Sequence, residues 1–547
     1  MLSHRSGAVR RTTLVFSSYF ATTRGVRSPI VRWLIPTFAQ QPISATPALV
    51  GLLVALIGLW IVAFAALGYP WTMVGSSTDG LHYLWMADAL HAGVSHPQSA
   101  AGANLLWHSR FPPGFPIYLS LFGAATSDGG MLRANLAQML SVLAMMLMVL
   151  VYARQHTRSW LAALLILGYV LAHPMLVPWS VELFSEPLFT CLLLAACLLA
   201  GADRSLSRAW LWMSMLIGFA CLVRAIGLLV IPALLLWLWL RHRSVWRTIV
   251  GGMLALAPSG LWSALKPASV GAGDSYLSQL WGTVGDISAS TLTVIATQLS
   301  SFLQALAPFG FPAWLRLLIG TGLLIAFLRV VWLRRSQANF DAWAALSIMG
   351  ILIFWPYPGY LDRLVGPIVP LLWVQILRGA PTPSEQPIAR RVWIMAATLL
   401  VVIAMSSTLS ILLRPVLRVA DLDLQRQMRS ASVLLAEDPV SIAKIHHAGL
   451  LLAADLHSLV PAGACVSSAF AIWVRLRAKV LILDTAQPFS WQNNPCRYVM
   501  VINLASAQDG FNAYYPMPLS PAQFRPLAVA RESPDAVTFA ALIEAND

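Results

Sequence analysis

Long apolar runs, each broken off by a few polar residues, recur from residue 47 to residue 413. A helix that crosses the hydrocarbon of a bilayer needs ~20 mostly apolar residues. Runs that meet or approach this length lie at 47–68, 132–152, 159–178, 182–201, 209–223, 226–241, 248–265, 312–333, 342–357, 364–378 and 392–413. They predict an all-α polytopic membrane protein with about eleven transmembrane helices. Two connections are long, 69–131 and 267–311, and the second ends in an amphipathic run suited to lie along an interface. Past residue 413 the pattern changes. The runs "VLILD" (480–484) and "RYVMVINLA" (497–505) read as strands, and a helical stretch near 445–459 precedes the turn "VPAG". Residues 414–547 therefore read as a small α/β domain.

Composition agrees with lipid-facing surface. The chain is 58% hydrophobic and 11% charged, with mean hydropathy +0.71; soluble domains carry about 25% charged residues. Its 22 Trp suit interfacial anchoring as well as core packing. The net charge of +14 does not mark a nucleic-acid binder, because the cations fall in short clusters between apolar runs instead of on one soluble face. The clusters alternate. Arg154 and Arg158, then Arg204 and Arg208, then Arg241, Arg243 and Arg247, then Arg334 and Arg335, then Arg378, Arg390 and Arg391 occupy every second connection. By the positive-inside rule these connections are cytoplasmic. Residues 1–46, basic and without an apolar core followed by a cleavage site, read as a retained cytoplasmic tail. The expected location is the inner (plasma) membrane, with the membrane domain at 47–413 and the C-terminal domain at 414–547 extracytoplasmic. Cys191, Cys197 and Cys221 lie in apolar runs and act as small hydrophobes, whereas Cys465 and Cys496 lie in the polar region and suit a disulfide if that region is outside.

Ionisable residues near the hydrocarbon are costly, and those on the outer side of this topology stand out. Asp79 follows the first apolar run in "SSTDGLHYLWMADAL" (76–90), with His82 and Tyr83 one turn on. It suits a helix start as well as a site, and the segment to Gly93 reads as an amphipathic helix. Asp88, nine residues and about two and a half turns away, points elsewhere and reads as a solvated or structural acid. In "RFPPGFPIYLSLFG" (110–123), Arg110 and three prolines make either a rigid site wall or a simple re-entry loop. In "SVELFSEPLF" (180–189), Glu182 and Glu186 share a helix face, with Ser185 as a cap and Pro187 in the first turn. Arg224 and Arg363 sit on the outer side, against the positive-inside bias, where Arg is suited to bidentate phosphate recognition. A lipid headgroup for either arginine, or a salt bridge of Arg363 with Asp362 or another carboxylate, are the plainer readings. No metal-ligand spacing is present and the sequence requires no cofactor; a divalent metal has no support in it.

These motifs, in order over residues 47–378, resemble the GT-C superfamily of integral-membrane glycosyltransferases. The resemblance is to the bacterial branch similar to dolichyl-phosphate-mannose-protein mannosyltransferases and the aminoarabinose transferase of lipid A. The matching pieces are "TDGLHYLWMADAL", "RFPPGFPIYL", "SEPLF", "LVRAIGLLVIPALLL" and "DRLVGPIVPLL". The resemblance implies a polyprenyl-phosphate-linked sugar donor, transfer of one sugar to a glycan, lipid or protein hydroxyl, and Asp79 as base. It further implies Arg224 and Arg363 on the donor phosphate, with Glu186, His82, Tyr83 and Arg110 in supporting or acceptor-site roles. The chain departs from relatives that carry an Asp-Glu pair in the first outer loop, since Gly80 follows Asp79 and a second carboxylate must come from elsewhere, Glu186 being the candidate. Two other classes stay open on the residues alone: a polyprenyl-lipid transporter or flippase, and a surface-polysaccharide polymerase or ligase.

Overall fold

The computed structural model describes residues 78–92, 111–125, 128–173, 183–202, 208–265, 289–307, 311–335, 337, 339–354, 361–379, 395, 398–406, 452–468, 481–484, 496–502, 524–531 and 538–545. The chain divides into units Met1–Val54 and Ala55–Asp547, and all described residues belong to the second. The first expected span, 47–68, lies outside the described residues, as does most of 392–413, of which 398–406 is helical.

Within the described residues the other expected runs are helical, and further helices lie in the connections between them. In chain order they are α1 (Thr78–Ala92), α2 (Gly114–Leu121), α3 (Asp128–Thr157), α4 (Trp160–Ala172), α5 (Glu186–Ala202) and α6 (Ala209–Val223). Then come α7 (Val230–His242), α8 (Val245–Leu265), α9 (Ala289–Ala305), α10 (Ala313–Leu333), α11 (Phe340–Leu352), α12 (Leu361–Val365) and α13 (Val369–Arg378). Short 3-10 segments, Ala225–Leu229 and Gly366–Ile368, lead into α7 and α13. Among the described residues, four helical segments are long and apolar enough to cross a membrane: Gly129–Thr157, Ala225–His242, Val245–Leu265 and Ala313–Leu333. Four shorter apolar helices accompany them.

Two features explain how the helices pack. The first is a lipid-type stripe. On α8, Val245, Ile249, Met253 and Leu256 recur at helical spacing and are exposed, while Gly251, Gly252 and Ala255 on the opposite face are buried. The second is close approach through small residues, the usual glue of membrane helices. A side chain at Gly218 on α6 would meet the Leu254 carbonyl of α8 at 3.0 Å. A side chain at Gly320 on α10 would collide with the Leu303 carbonyl of α9. The run expected to lie along the interface is thus a helix packed against α10.

The loop 69–131 contains two helices, α1 and α2, and the start of α3. α1 is buried on nearly all sides, Leu81, Tyr83, Leu84, Trp85, Met86 and Ala87 included. This corrects the amphipathic reading: a helix apolar all round is a core helix. It also corrects the solvated reading of Asp88, which is only 9% exposed. The prolines of "RFPPGFP" sit where a helix tolerates them. Pro113 is the N-cap of α2 and Pro116 lies in its first turn, where N–H groups have no intrahelical partner to lose. Gly114 is needed because a side chain there would run into the Leu222 backbone at 2.6 Å, which docks α2 against the end of α6.

Beyond a helix at 452–459, the C-terminal region forms a five-stranded mixed sheet: β1 (Cys465–Ser468), β2 (Leu481–Asp484), β3 (Tyr498–Ile502), β4 (Phe524–Arg531) and β5 (Thr538–Ala545). The order is β2-β1-β3-β5-β4. β1 runs parallel to β2 and β3, and β5 runs antiparallel to β3 and β4. Cys465 and Cys496 are disulfide-bonded, with Cα atoms 5.3 Å apart, and so tie β1 to the residues entering β3. Glu544 on β5 accepts from Arg497 at 2.9 Å and Arg525 at 2.6 Å. Hydrogen bonding from Arg525 is the main influence holding its carboxyl below the usual range.

Candidate functional site

Four charged side chains from four separated segments meet at one end of the helices. Asp79 lies in the first turn of α1 and Glu186 in the first turn of α5. Acids at these positions interact favourably with the positive end of the helix dipole. Arg224 ends α6 in an extended conformation (φ −148°, ψ 134°), its own N–H still bonded to the Ala220 carbonyl at 2.9 Å. The Gly227 N–H returns to the Arg224 carbonyl at 2.9 Å, and the 3-10 turn then enters α7. A side chain at Gly227 would meet the Cys221 nitrogen at 2.8 Å, so the turn can be this tight only with glycine. Arg363 sits on the five-residue helix α12, held short of α13 by the Gly366-Pro367 turn.

The contacts form a chain of ion pairs. Arg363 donates Nη1 to Asp79 Oδ2 at 2.6 Å and Nε to Glu186 Oε1. Arg224 donates Nη1 to the same Glu186 oxygen at 2.6 Å and to the Ser185 hydroxyl at 3.0 Å. Ser185 Oγ shares a hydrogen bond of 3.1 Å with the Tyr83 hydroxyl. The Arg363 guanidinium also lies 4.2 Å above the Phe184 ring. Glu186 is fully buried, Arg363 and Arg224 are 11% and 13% exposed, and Asp79 is 23% exposed. Asp79 is therefore the accessible end of the chain and Glu186 its buried centre. The remaining Glu186 oxygen, Oε2, is buried and has no hydrogen-bond partner among the described residues.

The electrostatics follow from this arrangement. Burial alone pushes the Asp79 carboxyl up, but the adjacent Arg363 outweighs it, helped by Arg224 and His82, and holds the group below its ordinary 3.8. Tyr83 sits between Phe111 and Phe115, ring centroids 5.2 and 5.0 Å away, and burial pushes its phenol well above the usual value. Asp79 is thus an ionised carboxylate at neutral pH and Tyr83 a neutral hydrogen-bonding group.

The structure brings Asp79, Tyr83, Glu186, Arg224 and Arg363 together. His82 is adjacent on α1, its ring 5.0 Å from Phe111, and contributes to the field at Asp79. Arg110 and Glu182 lie outside the described residues. The Ser185 hydroxyl, expected as a helix cap, instead links Tyr83 to Arg224. Asp362 is not the partner of its neighbour Arg363; it pairs with Arg316 on α10 at 3.1 Å. Adjacent residues on a helix point about 100° apart, so the two charges leave α12 in different directions. Phe184 was not singled out from the sequence, and its place under a guanidinium has no sequence signal beyond adjacency to "SEP". Among the described residues, no group of three or more His, Cys, Asp or Glu is placed to hold a metal ion.

No family model matches the chain, and no curated protein does. Among solved structures, the chain is similar to ArnT from Cupriavidus metallidurans bound to undecaprenyl phosphate. Identity is 14% and the TM-score 0.46, over 90% of this chain and 98% of that one. The chain is likewise similar to the same ArnT in the apo state, at 14% identity and a TM-score of 0.47, over 91% of this chain and 98% of that one.

Proposed function

We propose that this protein is an integral-membrane glycosyltransferase that moves one sugar from a polyprenyl-phosphate-linked donor to an acceptor hydroxyl of a glycan, lipid or protein. The observation that carries the reading is the convergence of Asp79, Glu186, Arg224 and Arg363, with the one accessible carboxylate at the edge of two guanidiniums. Arg224 and Arg363 hold the donor phosphate through charge-assisted hydrogen bonds. Asp79 takes the proton of the acceptor hydroxyl as its oxygen attacks the anomeric carbon. The bond from that carbon to the phosphate oxygen breaks, and the electron pair leaves on the polyprenyl phosphate, where the guanidiniums stabilise the added charge. Tyr83 and Ser185 hold the Arg224 end in register, and Glu186 supplies the second carboxylate that the first loop lacks.

The site faces the extracytoplasmic side of the inner membrane in this reading, with residues 1–46 cytoplasmic and residues 414–547 outside. The Cys465–Cys496 disulfide supports that side for the C-terminal region, because such bonds persist in oxidising compartments. The test is transfer from a panel of undecaprenyl-phosphate-linked sugars by the full chain in nanodiscs, with covalent product read by mass spectrometry. Asp79→Asn is expected to lower turnover by roughly 10²–10⁴-fold while the protein still inserts. Full turnover by that variant overturns the mechanism. Lipid flux across vesicles without covalent product overturns the enzyme reading in favour of a flippase, and multi-sugar products favour a polymerase.

A further inference from the structure

The two partners of Arg363 are unequal. Glu186 takes its Nε from a fully buried position, and the ring of Phe184 lies under the guanidinium. These contacts fix the plane of the group from the protein side. Asp79 takes Nη1 from the accessible side at 2.6 Å and is itself 23% exposed. An arginine grips phosphate best through two parallel N–H bonds from one edge of its fork. With Nε committed to Glu186, the edge left for a phosphate is Nη1 with Nη2. Asp79 already occupies half of that edge.

We infer that Asp79 and the donor phosphate exchange places on Arg363, so that the carboxylate is released for the acceptor hydroxyl only when the donor is bound. The inference rests on the proposed sugar-transfer reading and adds an order to it. Before the donor arrives, Asp79 is a poor proton acceptor because the guanidinium pins it. Once a phosphate takes Nη1 and Nη2, Asp79 loses its cation and remains a partly buried carboxylate whose affinity for a proton is higher. Glu186 cannot leave in its place. It is fully buried and joins both arginines through one oxygen, so moving it would strand two guanidiniums at once.

The test is equilibrium binding of undecaprenyl phosphate to the full chain in nanodiscs at pH 8, by native mass spectrometry or thermal shift, with a transfer assay in parallel. Removing the competing carboxylate in Asp79→Asn is expected to tighten binding roughly tenfold, the equivalent of about 1.4 kcal/mol, while transfer is lost. Asp79→Glu, which keeps the competing charge, is expected to bind with the affinity of the unaltered protein. If Asp79→Asn fails to insert, Asp79→Ala is read in its place with the same expected gain. Unchanged or weaker binding in the variant that has lost transfer overturns the exchange and leaves the sugar-transfer reading standing. Retained transfer overturns the sugar-transfer reading itself.

Discussion

Two buried charge clusters sit at opposite ends of the helices, and they are built differently. The far cluster gathers Tyr152 near the end of α3, Asp341 in the first turn of α11 and Arg378 at the end of α13. Tyr152 donates to Asp341 Oδ2 at 2.7 Å, Arg378 donates to the same oxygen at 3.2 Å, and the Ala342 N–H donates to Oδ1 at 3.0 Å. Both oxygens of that carboxylate are occupied. At the site, Glu186 Oε1 carries two guanidiniums while Oε2 carries none. A saturated acid with one cation tethers helices; an unevenly used acid between two cations leaves capacity for something else. The distance between the two clusters is about one helix, because Gly201, fifteen residues after Glu186 and ~22 Å along α5, lies against His156 on the last turn of α3.

The comparison can be broken most directly at the far end. Asp341→Ala leaves Arg378 without its carboxylate in a buried setting, and removing one partner of a buried pair costs about 3–5 kcal/mol. The expected result is a large fall in melting temperature and in yield of inserted protein, with turnover of the surviving fraction little changed. Asp79→Asn should do the reverse, losing turnover with a small effect on melting. If both variants lose stability alike, the two clusters do not differ in kind.

A second, smaller effect concerns pH. The groups facing Asp79 are Arg363, Arg224, His82, Tyr83 and Glu186, and the net shift of its carboxyl is downward from 3.8. A lowered carboxylate contributes stability that is present above its unfolded value and is lost as pH falls through the folded one. The same sign holds for its proposed use as a base. The acid limb of kcat/KM, which reports the free enzyme, is therefore expected below pH 3.8, with a plateau from pH 5 to 8. An acid limb above pH 5 that moves in Asp79→Glu, and so belongs to this carboxyl, contradicts the ion pair.

The smallest effect is at Tyr83. Tyr83→Phe removes one hydrogen bond, to Ser185, worth about 0.5–1.5 kcal/mol. A rise in KM for the donor of about two- to tenfold with kcat preserved fits a group that holds Arg224 in register; a loss of kcat alone gives Tyr83 a direct part in the chemistry.

Much of this was legible in the amino-acid order because a bilayer makes polarity expensive. Apolar runs had to be helices, and Asp79, Glu186, Arg224 and Arg363 stood out as ionisable groups in apolar surroundings. The pairing was not legible. Arg363 and Asp79 are 284 residues apart, and nothing local says that Arg363 prefers Asp79 and Glu186 while Asp362 turns to Arg316. Asp341 escaped notice for a related reason: in "NFDAWAAL" it has the form of an ordinary first-turn acid, and only packing reveals that an arginine and a tyrosine from other helices share it. The polar residues His82 and Asp88 among the apolar ones of α1 give it an amphipathic look, but packing covers both sides of the helix.

The junction at Arg224 has a final consequence. One extended residue and a glycine-dependent turn join two helices, so that guanidinium stands on a backbone with no slack. Capturing an anion there freezes almost no additional main chain, which keeps the entropic toll of recognition low. Lengthening that hinge by even one amino acid should therefore weaken donor capture without altering a single charge.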